Sequence, residues 1–186
     1  TGFEAFFAEW SRDCDMQQLR RLADREGMLF HSIHASFGGM NAFWKPMENT
    51  AAAIQEQLDC LHDAARAQVP IVVMHPFIGF TEHEPTQFGL DNFSIVVREA
   101  EKLGIRIAIE NTEGEEYLAA LMAHFAGDDT VGFCWDAGHE MCYNHSRDML
   151  AMYGDRLLCT HLNDNLGIRD FGGEITFIDD LHLLPF

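Results

Sequence analysis

The amino-acid sequence predicts an α/β fold, an incomplete (β/α)8 TIM barrel with about six β/α units present. Three observations carry the prediction. Short apolar runs alternate with helical patterns along the chain, which implies a parallel sheet with right-handed crossovers. Several runs end on a polar residue, as in V-V-M-H-P at His75, I-A-I-E-N at Glu110, F-C-W-D-A-G-H at Asp136 and His139, and C-T-H-L-N-D at His161. Chemistry at the C-terminal ends of several different strands belongs to a barrel. No G-x-G-x-x-G follows the first run, as an open dinucleotide-binding sheet would require. A full barrel takes about 250 residues and this chain has 186, so one front unit and the last strand are expected to lie outside it.

The elements follow in order. Residues 3–10 are aromatic-rich and partly alternating, which suits a strand. Residues 11–15 offer helix N-caps, and 16–26 place Leu19, Leu22 and Ala23 on one helical face before Gly27. Residues 28–36 form the next apolar run and carry His31 and His34; a Gly/Pro loop follows. Asn49 and Thr50 cap a long helix over 51–68, with Ile54, Leu58, Leu61 and Ala65 at helical spacing. Pro70 ends it, and 71–74 is a β-branched strand running into His75. Residues 77–89 read as a loop, 91–103 as a helix stopped by Gly104, and 105–109 as a strand ending at Glu110. A helix over 115–125, a strand over 131–135, a helix over 146–153 and a strand over 157–160 come next. The tail, 162–186, is rich in Gly, Asp and Asn and reads mainly as loop. Residues 1–186 are read as a single domain truncated at both ends.

Composition narrows the function. At 47% hydrophobic the chain can bury a substantial core, and it holds neither a run of about 18 apolar residues nor a signal-peptide pattern. A cytoplasmic protein with no membrane partner is expected. Five cysteines without a C-x-x-C pair predict reduced thiols. The net charge of -18, from 30 acidic and 12 basic residues with no basic patch, repels a phosphate backbone, so no nucleic-acid partner is expected on charge alone. P-loop, G-x-S-x-G and H-E-x-x-H motifs are absent, which removes those hydrolase classes.

Glu110, Asp136 and His161 each end a strand that should be buried on both faces, where an unpaired carboxylate is costly. Taken singly, each could merely cap a strand or helix. Ends of neighbouring parallel strands lie together, so the three are expected to converge and to hold a divalent metal: Mn²⁺, Mg²⁺ or Co²⁺, with Zn²⁺ less preferred. His139, just past Gly138, can turn back over the same rim to bind substrate or a second metal. His34 and His75 end earlier strands and can line the same mouth, and Asp180 and His182 offer two further ligands in the tail. His31 reads as a packing residue. Phe37, Phe43, Trp44, Phe77 and Phe80, in loops after strands, are expected to wall a pocket over the metal.

The ordered set H-S-I-H-A-S-F, V-V-M-H-P, I-A-I-E-N-T, C-W-D-A-G-H-E and T-H-L-N-D-N, followed by D-L-H-L-L-P-F, resembles the xylose isomerase-like TIM-barrel superfamily, in its sugar phosphate isomerase/epimerase branch. The resemblance implies a metal held by Glu110, Asp136 and His161 plus a glutamate from the last strand. That glutamate has no counterpart here, since Glu174 falls too early. In the family's ketose epimerases the two glutamates also exchange the substrate proton, and a histidine at the His139 position binds substrate. The expected function is a metal-dependent isomerase or epimerase of a small sugar, ketose or polyol, phosphorylated or not, with Glu110 catalytic; a homo-oligomer is compatible with it. The superfamily's endonuclease IV-like phosphodiesterases use a similar set, which His34, His75, Asp136, His139, His161, Asp180 and His182 fit, but they need a basic DNA-binding face. A non-catalytic ligand-binding barrel is the third reading.

Overall fold

The computed structural model describes residues 5–81, 84–144 and 147–162, together with the backbone of 168–171 and 174–177. Strands β1 (Ala5–Glu9), β2 (Leu29–His34), β3 (Ile71–Met74), β4 (Arg106–Glu110), β5 (Val131–Asp136) and β6 (Leu157–His161) pair in chain order, all parallel. Between them run α1 (Met16–Glu26), α2 (Thr50–Arg66), α3 (Gln87–Leu103), α4 (Glu115–His124), α5 (Ala137–Tyr143) and α6 (Met149–Tyr153). The strand order never reverses, so the six strands form a half-barrel rather than a doubly wound sheet. Among the described residues no helix is long and apolar enough to cross a membrane, and all five cysteines are free thiols.

Local chemistry sets the element ends. Asp15, Thr86 and Asp148 cap α1, α3 and α6, each side chain accepting from a backbone N–H three residues on. Helices α1 and α3 stop at Gly27 and Gly104, whose φ angles of 67° and 69° lie in the left-handed region that glycine enters at little cost.

Alternation along the strands sorts the side chains into two environments. Val72, Met74, Ile107, Ile109 and Phe133 join the main core against the helices, with Leu61, Phe93 and Leu118. Each such side chain, fully buried, contributes about 1.5–3 kcal/mol. Ile71, Val73, Ala108, Cys134 and Cys159 form a second, smaller cluster on the opposite face, inside the half-barrel. Two residues further on from Val73, Ala108, Cys134 and Cys159 stand His75, Glu110, Asp136 and His161. The apolar inner cluster is therefore the floor of a polar layer on the same face.

Three sequence expectations need correction. Helix α5, where the sequence reading placed no helix, forms because Asp136 accepts from the His139 N–H and caps it. Helix α3 starts earlier than residue 91, since Thr86 supplies the cap. Helix α6 spans only Met149–Tyr153 instead of 146–153, because its cap is Asp148. Within the tail, read mainly as loop, the described residues include two strands, β7 (Ile168–Phe171) and β8 (Glu174–Phe177), which pair antiparallel. Asp180 and His182 lie outside the described residues.

Candidate metal centre

Glu110, at the end of β4, is the hub of the polar layer. It is 1% exposed, and imidazoles from β2, the end of β3, α5 and β6 engage its two oxygens. Oε2 lies 3.0 Å from His34 Nε2 and 3.4 Å from His75 Nε2, while Oε1 lies 3.2 Å from Nδ1 of both His139 and His161. His161 Nδ1 is also 3.8 Å from Asp136 Oδ2. The backbone register delivers this convergence: Asp136 pairs with His161 across β5 and β6, and β2 and β3 bring His34 and His75 up beside Glu110. Six of the residues singled out in the sequence thus share one layer.

The grouping differs from the Glu110–Asp136–His161 set expected from the sequence. Potential ligand atoms close into two three-residue groups, His34–Glu110–His161 and His75–Glu110–His139, which share Glu110. Asp136 belongs to neither, and its Oδ1 accepts from the His139 N–H at 2.6 Å.

Burial alone would raise the Glu110 pKa, but hydrogen bonds from His139, His161, His34 and His75 outweigh it and hold the carboxyl well below the usual range. Burial opposes the charge on His139 too, yet its bond to Glu110 and the charges of Asp136 and Glu110 raise it to about 9. His34 is raised by the same balance of burial against Glu110. In His75 burial wins, helped by the neighbouring imidazoles, and the ring is held neutral. Asp136 is raised, first by burial and then by the Glu110 charge.

Three features fit a divalent ion here. The donor set is carboxylate plus imidazole, the mixture that transition-metal ions prefer. His75 Nδ1 and His161 Nε2 are buried with no hydrogen-bond partner, a costly state for a nitrogen with nothing to bind. His34 holds the carbonyl of Ala35 through Nδ1 at 2.8 Å, which fixes its ring and aims Nε2 inward, as the outer partners of metal-bound histidines do.

Two asparagines escaped the sequence reading. Asn111 and Asn144 are buried and tie the end of β4 to the end of α5. Asn111 stands beside Glu110 in the quoted motif, but Asn144, 33 positions away, has no sequence signal. The aromatic expectation is partly corrected: Phe43, Trp44 and Phe77 are core residues packed with Phe93 and Tyr117, because the loops fold back over α3 and α4. Phe37 stays at the mouth, stacked 4.7 Å from the His75 ring, and Phe7 of β1 stacks 4.8 Å from His161. A cavity of about 670 Å³ opens above the layer.

The model of the xylose isomerase-like TIM barrel family matches residues 1–183. The chain belongs to this family. It is similar to the protein y4fM of Sinorhizobium fredii, 28% identical over 212 residues that cover 94% of this chain and 63% of that relative. The chain thus spans less than two thirds of that relative's length. Among solved structures, a D-tagatose 3-epimerase-like protein aligns with a TM-score of 0.69 at 20% identity, covering 89% of this chain and 69% of that one. The IOLI protein with a bound zinc atom aligns with a TM-score of 0.68 at 18% identity, covering 94% and 67%. At these identities the structural likeness is one of fold.

Proposed function

We propose that this protein is a divalent-metal-dependent isomerase or epimerase of a small sugar, ketose or polyol, acting by proton transfer next to a carbonyl. The observation that carries the reading is the convergence of four imidazoles on buried Glu110, with Asp136 beside His161, in a barrel whose neighbours include a D-tagatose 3-epimerase-like protein and a zinc-bound one. Glu110 and Asp136 supply the charge that holds the ion, and His34, His75, His139 and His161 supply nitrogens. When bound, a divalent ion polarises a carbonyl–hydroxyl pair and acidifies the neighbouring C–H. The bonds from four imidazoles make Glu110 a weak base for a carbon-bound proton, so its role as general base requires that some of those bonds be given up when metal and substrate bind. Phe7 and Phe37 shield the layer from bulk water at the mouth. Incubation of the full-length, Mn²⁺-loaded protein with a ketose panel in deuterated water should label the carbon next to the carbonyl. Absence of label with every ketose sinks the proton-transfer reading.

One observation favours a second reading. Two candidate ligand groups share Glu110 and would together have residues to hold two ions, a pairing suited to phosphodiester hydrolysis. The net charge of -18 weighs against a duplex substrate. Incision of an abasic duplex by the metal-loaded protein would favour the endonuclease-like reading, and an uncut duplex removes it.

A further inference from the structure

Resting on the isomerase or epimerase reading, we propose that the cavity selects an uncharged polyhydroxy substrate and rejects its phosphate monoester, with Glu9 and Glu113 as specificity-determining side chains. Both line the cavity beside Glu110 and Asp136, and no Lys or Arg is among its described lining residues. Glu9 ends β1 in register with His34, and Glu113 follows Glu110 by three residues. Proteins recognise phosphate through Arg and Lys or through free helix N-termini. Near the cavity, Asp136 already caps α5, and the first turn of α4 carries Glu115 and Glu116, whose charge disfavours an anion there.

Charge balance points the same way. One divalent ion is neutralised by Glu110 and Asp136, and Glu9 and Glu113 outweigh whichever of His34 and His139 lies outside the ion's group and keeps its proton, which leaves the mouth net negative. A second ion brings the site only to neutrality. A monoester, with roughly 1.5 to 2 negative charges, therefore meets repulsion or no attraction. A polyol meets complementary groups. Carboxylate oxygens accept from vicinal hydroxyls, and Phe7 and Phe37, 48% and 44% exposed, each spend one ring face on an imidazole and offer apolar surface to the C–H side of a sugar.

Saturation-transfer NMR on the full-length, Mg²⁺-loaded protein tests this with matched probes: D-fructose against D-fructose 6-phosphate, and D-xylulose against D-xylulose 5-phosphate. The free sugar of each pair should bind at least about tenfold tighter. Glu113→Lys, or Glu9→Lys at its more exposed position, should narrow or invert that ratio. Equal or tighter binding of the monoesters by the unsubstituted protein overturns the proposal, as does a ratio that neither substitution moves. Deuterium exchange on the same probes separates the two levels. Exchange confined to the monoesters overturns the charge selection while the isomerase or epimerase reading stands, and absence of both binding and exchange for all four removes both.

Discussion

The side-chain amide of Asn111 brackets the backbone of Asp136. Its Oδ1 accepts from the Asp136 N–H at 2.8 Å, and its Nδ2 donates to the Asp136 carbonyl at 2.9 Å. One amide thus extends the sheet ladder by a rung beyond β4 and fixes the carboxylate-bearing end of β5. The same Nδ2 donates to Asn144 Oδ1 at 3.2 Å, and Asn144 Nδ2 donates to the Thr112 carbonyl at 3.2 Å. His139 Nδ1 lies 3.0 Å from the Asn111 carbonyl, so the network reaches the imidazole layer directly. Asn144→Leu keeps most of the volume and strands two buried polar groups. It should cost about 1–3 kcal/mol in denaturant unfolding and weaken metal binding by about 10–100-fold. Metal affinity unchanged in competition with a chromophoric chelator would show that the clamp serves the fold alone.

The His139–Glu110 pair predicts how metal affinity varies with pH. His139 is raised to about 9, so near neutrality it carries a proton that it must lose in order to ligate. Binding should release about one proton and tighten by about tenfold per pH unit between pH 6.5 and 8.5. Calorimetry in buffers of different ionisation enthalpy measures the release directly. A pH-independent affinity would mean that His139 is not a ligand.

The metal-free protein should respond in the opposite sense. A group whose pKa is raised on folding adds stability that is fully present below its unfolded value and is lost as pH rises through the folded one. His34 and His139 are both raised, so stability should decline from about pH 6.5 to beyond the His139 value of about 9. A fall in Tm on the order of 5 °C is expected over that window, and saturating metal should flatten it.

Glu110→Gln separates these effects from ordinary packing. The amide matches the carboxylate in shape but cannot hold four imidazoles through charge, so His139 should return towards its ordinary value and the alkaline loss of stability should shrink. Metal binding should fall by at least about 100-fold, beyond what an outer-sphere partner contributes. Persistence of tight binding in this variant would shift the ligand role to Asp136 and His161.

Much of this layout was legible in the sequence because a strand of period two puts its last inward residue on a predictable face. Ala108 and Glu110, Cys134 and Asp136, and Cys159 and His161 are such pairs, and the polar member is conspicuous against its apolar run. Helix α5 was not legible, since A-G-H-E-M-C-Y has no apolar stripe and exists only because Asp136 caps it. The Asn111–Asn144 clamp was hidden for a related reason: side-chain bonds across 33 positions leave no periodic trace. The same holds for Phe43 and Trp44, whose loop sequence gives no sign that it folds back onto α3. The division of the imidazoles between the two oxygens of Glu110 depends on register and loop path, which only the assembled sheet fixes.

At the opposite end of β6 from His161, Arg156 offers a control far from the chemistry. Its guanidinium donates to the carbonyls of Met122 at 2.8 Å, Phe125 at 3.0 Å and Val131 at 2.6 Å, joining the end of α4 to the start of β5. The Phe125 carbonyl also accepts from the Asp128 N–H at 3.1 Å, whereas the Met122 carbonyl lies in the last turn of α4, past the reach of the helix's own N–H groups, and gains a donor from Arg156. Arg156→Met retains the apolar stem and removes all the donors. Unfolding free energy should drop by roughly 2–4 kcal/mol, while metal affinity per folded molecule and its pH dependence stay as in the unsubstituted protein. Equal losses in stability and metal affinity would instead mean that the two ends of the half-barrel move together, and that the imidazole layer is only as rigid as its base.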